Sequence, residues 1–119
     1  MNKIALEIKE LLYTNTNLTS NYTAKTVLSG EVSDYFDEIE IYYKFSTGVD
    51  VIKSAKVPYG KSGHLSCPAI GSNNNGGRLV TFNATSVTFD GGQYNGNSNN
   101  AYAIPWKIIG IHRETKFFT

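Results

Sequence analysis

Several stretches of this sequence carry residue types that could do chemistry, and each can be weighed by what that chemistry needs nearby. Gly60-Lys61-Ser62 has the closing residues of a phosphate-binding loop, in which backbone amides and a lysine cradle phosphates at the start of a helix. That motif requires a further glycine five positions before Gly60, where Ala55 stands, and Leu65-Ser66-Cys67-Pro68 does not continue as a helix. His64 and Cys67 have the spacing of a zinc-ligand pair, but a closed site needs four donors and His112 is the only other His or Cys. Asp34, Asp37, Glu38 and Glu40 could supply the two carboxylates that glycoside hydrolysis sets roughly 5–10 Å apart. Glu38 and Glu40, however, fall on the outer face of an alternating segment and read as solvated strand charges. Asp90-Gly91-Gly92 lacks the additional acids of a calcium loop. No nucleophile, base and orienting group can be assembled. The expectation is a protein that is not an enzyme, with no catalytic residue, no metal site and no cofactor.

Recognition remains. Gln93, Tyr94, Asn95 and Asn97 in the loop Asp90–Asn100, and Asn73 and Asn74 in the loop Gly71–Gly77, offer planar amide donors and acceptors beside one flat phenol ring. Saccharides present an apolar ring face for stacking and a fan of hydroxyls for hydrogen bonding, and loops on rigid scaffolds are where binding residues concentrate. These six residues are the predicted ligand-binding set, with Tyr94 as the stacking residue. The plain alternative is that Gly/Asn-rich loops merely connect.

The elements that would hold such loops are strands. The chain has 119 residues, long enough for one core, with a net charge of +1 and a pI near 7.8 that give no electrostatic footprint for nucleic acid or an anionic membrane. Aromatic residues make up 13%, eight of them Tyr, a composition that favours sheet. Cys67 is the single cysteine and forms no internal disulfide. Lys3, Glu7, Lys9 and Glu10 interrupt the first twelve residues, so no signal peptide opens the sequence, and no run is long and apolar enough for a membrane-spanning helix.

Asp37 to Phe45 alternates, with Ile39, Ile41, Tyr43 and Phe45 predicted inward and Glu38, Glu40, Tyr42 and Lys44 outward. Ser46-Thr47-Gly48 turns it into a second strand ending at Pro58-Tyr59-Gly60. Arg78 to Phe82 and Ser86 to Phe89 read as another hairpin. The longest apolar run, Tyr102 to His112, reads as a closing strand buried on both faces. Pro105 marks an edge, a bulge or a strand start, and Trp106 is expected in the core or at a subunit contact rather than on a ligand. Met1, Ile4, Ile8 and Leu11 have coiled-coil spacing, which predicts a short amphipathic helix over 1–12. Two placements fit such a helix: a neck joining copies through Ile4, Ile8 and Leu11, or a helix docked on its own sheet. The expected architecture is thus all-β, an antiparallel, jelly-roll-like β-sandwich over 13–119 preceded by that helix.

Several segments carry a family resemblance. Leu11-Leu12-Tyr13-Thr14-Asn15, Asp34 to Tyr43, Arg78 to Phe82, Val87 to Gly91, and above all Ile104-Pro105-Trp106-Lys107-Ile108-Ile109-Gly110-Ile111 resemble the C-terminal head domains of bacteriophage tail fibre, tail-tip and baseplate receptor-binding proteins. The resemblance spans residues 11–112. It implies a compact β-sandwich head, usually a homotrimer on a stem, made in the host cytoplasm and carried on the virion, which binds a bacterial surface saccharide or another host receptor. No catalytic residues come with it. The competing expectation is a structural or decoration module of a phage tail or capsid, whose loops contact other virion proteins.

Overall fold

Alternating β-branched and aromatic residues dictate strands along most of the chain. The computed structural model describes residues 2–28, 35–68, 74–83 and 86–118. Among them every regular element is a strand: β1 (Asn2–Thr14), β2 (Lys25–Val27), β3 (Glu38–Ser46), β4 (Val49–Pro58), β5 (Lys61–Pro68), β6 (Asn75–Asn83), β7 (Ser86–Phe89), β8 (Gln93–Tyr94), β9 (Asn97–Ser98) and β10 (Tyr102–Phe118). The pairings are antiparallel and form two sheets. One runs β1-β10-β3-β4. In the other, β6 is the hub, with β5 along one edge and both β7, carrying β2, and β8, carrying β9, along the other.

The arrangement is sandwich-like because both sheets turn apolar residues towards one core. Ile39, Ile41, Val57, Ile104 and Ile108 from the first sheet meet Leu65, Cys67, Val80, Phe82, Val87 and Phe89 from the second. A polar contact crosses the same gap: Tyr43 donates its hydroxyl to the Ser66 carbonyl at 2.8 Å, and burial pushes its pKa up to about 12. The predicted inward set of β3 holds at Ile39, Ile41 and Tyr43, which are buried. Lys44 differs from expectation. It is buried, its ammonium donating to the carbonyls of Thr47 and Leu18 across the end of the sheet.

The predicted helix over 1–12 is not there. Asn2–Thr14 is a strand, paired with β10 from Asn2↔Phe118 to Thr14↔Lys107. Its sequence carries two periods at once: the spacing of Ile4, Ile8 and Leu11 suits a helix, while Ile4, Leu6, Ile8 and Leu12 suit one face of a strand. A helix this short is marginal alone in water, whereas β10 offers a backbone partner along the whole segment. The proposed neck residues therefore share no seam. Ile4 and Ile8 lie on one face of β1 and Leu11 on the other.

β10 also differs from its expected burial. Its core face is sealed at Ile104, Ile108 and Gly110, where the Phe36 ring and Leu12 press so closely on Gly110 that a Cβ there would come within 2.8 Å of them. Its outer face is only half covered at Trp106, Lys107 and Ile109. The register shift between Pro105 and Lys107 is a bulge at the proline position, one of the three placements that Pro105 allows.

Arg78 sits where a core residue should. It alternates with Val80 and Phe82 on β6 and is 1% exposed. Its guanidinium donates to four backbone carbonyls: Ala103 at 2.9 Å, Asp90 at 2.7 Å, Tyr102 at 3.0 Å and Asn100 at 3.4 Å. The Tyr22 ring covers it at 5.2 Å. Burial pushes the Arg78 pKa down to about 10, because desolvation disfavours the charged form, while Tyr22 and Cys67 act in the opposite direction. The carbonyls it gathers bracket Ala103, whose φ of 51° is uncommon for a residue with a Cβ. Arg78→Met keeps the volume but leaves these acceptors buried without donors. It should destabilise the protein by about 3 kcal/mol, lowering the thermal midpoint by roughly 10 °C, and calorimetry showing a shift under about 2 °C would contradict this account.

His112 marks the far end of the β10–β3 pairing. Its Nδ1 lies 2.6 Å from the Tyr35 carbonyl and its Nε2 3.0 Å from Glu114 Oε1. Both partners only accept, so both nitrogens are satisfied together only by the imidazolium. The hydrogen bond to Glu114, then that to the Tyr35 carbonyl, raises its pKa above 6.5, with Asp37 adding attraction against some desolvation. Since the folded state holds the proton more tightly, this stabilisation is complete below pH 6.5 and is lost as pH rises through the folded-state value. NMR titration of the His112 ring should give a midpoint above 6.5, and Glu114→Gln should lower it.

Candidate functional site

The half-covered outer face of the first sheet carries an open depression. Lys9, Glu10, Leu11, Glu40, Tyr42, Trp106, Lys107 and Ile109 line an open groove of about 430 Å³. Three strands build it. Register places Leu11 opposite Ile109, and Ile109 opposite Glu40, so these side chains lie in one row across β1, β10 and β3. The next row brings Thr14, Lys107 and Tyr42 together. The bulge supplies Trp106 to a face that strict alternation would deny it.

Trp106, Leu11 and Ile109 make the apolar floor. Polar groups of both kinds stand around it: the Glu40 carboxylate, which accepts from the Tyr42 hydroxyl at 3.2 Å, and the ammonium groups of Lys9 and Lys107. The Lys107 ammonium lies 4.0 Å from the Trp106 ring centroid and fixes how the indole stands. Backbone support comes from the adjoining loop, where the Asn15 amide N–H donates to the Trp106 carbonyl at 2.7 Å and the Asn15 side chain to the Pro105 carbonyl at 2.9 Å. Such a surface offers stacking on an aromatic ring, with hydrogen-bond donors and acceptors at its margin.

The predicted loop residues gather at one end of the sandwich, where β10 begins. There the Thr47 amide bonds the Ala101 carbonyl and the Asn99 amide bonds the Gly92 carbonyl, each near 2.9 Å. Tyr94 stacks on Tyr102, with centroids 4.3 Å apart and planes 5° from parallel, and Phe45 meets the other ring edge-on. One face of Tyr94 is thus already used. The Asn95 amide nitrogen donates to Asn74 Oδ1 at 2.8 Å, and Asn95 Oδ1 accepts from the Asn75 amide at 3.2 Å. These two side chains hold the β8–β9 turn against the start of β6. Gln93 and Asn97 are exposed beside them, and Asn73 lies outside the described residues.

The other chemical motifs resolve into strand structure. Lys61 opens β5, so no helix follows Gly60-Lys61-Ser62. Three residues apart on that strand, His64 and Cys67 point to opposite faces: Cys67 is buried and His64 exposed. Among the described residues no group of three or more His, Cys, Asp or Glu side chains could hold a metal ion. Glu38 is paired with Arg113 and Lys56 rather than with a second carboxylate. Sequence reasoning missed Lys9, Glu10 and Leu11 as groove residues because it placed them on a helix, and missed the role of Arg78 although its alternation with Val80 and Phe82 marked it as inward.

The chain matches no protein-family model, no curated protein and no solved structure.

Proposed function

We propose that this protein is a non-enzymatic adhesion domain that binds a bacterial surface saccharide, as the resemblance to phage receptor-binding heads implies, and that the sugar docks in the Trp106 groove. The observation that carries the reading is the composition of that groove: an indole and two aliphatic side chains on the floor, with two carboxylates, a phenol and two ammonium groups around it. A pyranose ring has the matching chemistry, an apolar face and equatorial hydroxyls that both donate and accept. The groove is open and lies on paired strands, so it can receive an internal unit of a long polymer without the protein having to move.

The loop end has stacked tyrosines, and its Asn74 and Asn95 amides bond each other and the backbone. Trp106→Ala should weaken saccharide or host-cell binding at least tenfold, the loss of one aromatic stacking contact. Its thermal midpoint should change little, because the indole is partly exposed on the outer face. Tyr94→Ala serves as the comparison. Binding that survives Trp106→Ala and disappears in Tyr94→Ala would move the site to the loops, and a blank glycan array beside tight binding to phage particles would favour the structural-module reading instead.

A further inference from the structure

β3 stops pairing with β10 at Ile111↔Glu38, yet β1 and β10 continue together to Asn2↔Phe118. From His112 onward the first sheet is therefore a two-stranded ribbon, and it accounts for the 56 Å length of the molecule against widths of 33 and 23 Å. A lone two-stranded ribbon is at best marginally stable in water. This one also exposes large apolar groups: Ile4, Ile8 and Phe118 on the face that continues the core, and Phe117 on the reverse. The outer edge of β1 pairs with no other strand among the described residues, so its backbone groups form an open template.

We propose that this edge pairs with the same edge of a second copy of the chain, antiparallel about a two-fold axis at Ala5, a dimer contact in place of the homotrimer that the resemblance implies. Charge and apolar matching together select the register. Centred on Ala5, Lys3 stands opposite Glu7 of the second copy and Ile4 opposite its Leu6, each twice by symmetry. The neighbouring registers match less well: centring on Ile4 sets Lys3 against Ala5 and makes no charge pair, centring on Leu6 sets Lys3 against Lys9, centring on Glu7 sets that carboxylate against itself, and centring on Ile8 pairs Glu7 with Lys9 but sets Leu6 against Glu10 twice. The Ala5 register joins the two ribbons into one four-stranded sheet, collecting Ile4, Leu6, Ile8 and Phe118 of both copies on one face. Glu7 is held in position for this by Lys9 and Arg113, each 3.4 Å from one of its oxygens.

A charge swap tests the register. Light scattering on the native chain should give about twice the 13.1 kDa monomer mass. Lys3→Glu and Glu7→Lys, each alone, place like charges opposite one another twice and should weaken association at least tenfold. An equimolar mixture of the two restores opposite charges at both positions and should recover the dimer, which no local damage in either variant could produce. A monomeric or trimeric native chain, single variants that associate as before, or a mixture that stays monomeric would each overturn the proposal. The readout is mass, so it is independent of whether any saccharide binds.

Discussion

A charged side chain buried in an apolar core is the constraint around which this domain is arranged. Removing a guanidinium from water is unfavourable unless its donors are met, and Arg78 meets them with backbone carbonyls rather than a carboxylate. Carbonyls belong to the chain path, so satisfying Arg78 fixes where that path runs: the exit from β7 at Asp90 and the entry to β10 at Asn100 to Ala103. Gly92 completes the cradle. A Cβ there would lie 2.3 Å from the Asn99 carbonyl oxygen and 3.0 Å from the guanidinium itself, so only glycine lets the loop close over the cation. The loop Asp90–Asn100, which looks like a free polar connection in sequence, is thus tied to the core at both ends.

The same anchor sets the start of β10, and β10 is the spine of the molecule. At about 3.3 Å per residue its length from Tyr102 to Phe118 spans nearly the whole long axis. Its first third lies at the loop end and joins the aromatic stack of Phe45, Tyr102 and Tyr94. The bulge and outer face that follow make the groove. Its last third leaves the sandwich with only β1 beside it. Three surfaces of different character are therefore set in fixed order along one strand, and the salt-bridged cluster of Arg113 with Glu7 and Glu38 marks the point where sandwich gives way to ribbon.

Much of this was legible in the sequence wherever a single period was present. Asp37 to Phe45 alternates without competition, and Ile39, Ile41 and Tyr43 are core residues as expected. The proline in the closing strand narrowed its position to an edge, a bulge or a strand start, and a bulge is what stands there. Reading failed where two signals overlapped. Residues 1–12 fit both a heptad and a strand, and the deciding term, a long antiparallel partner at the other end of the chain, is invisible locally. Lys44 fits an outward position by alternation, yet sequence cannot show that the distant Leu18 carbonyl joins that of nearby Thr47 at its ammonium. For Trp106 alternation gave the core face, because a bulge at Pro105 could be anticipated but not the side to which it would turn the next residue.

The reassignment of β1 has a consequence for both exposed surfaces. Lys9, Glu10 and Leu11 form one wall of the groove, and Lys3 to Glu7, only a few residues before them, form the open edge of the ribbon. This wall is an edge strand held by β10, by the hydroxyl contact of Tyr13 with Tyr22 at 3.0 Å and by the Asn15 contacts. A strand paired on one side frays more readily than one paired on both. A neighbour added along the outer edge of Asn2 to Ile8 would make that part of β1 an interior strand and damp motion passed on to Lys9 and Leu11. The groove wall and the ribbon edge thus belong to one strand, whereas the loop end is locked separately by Arg78.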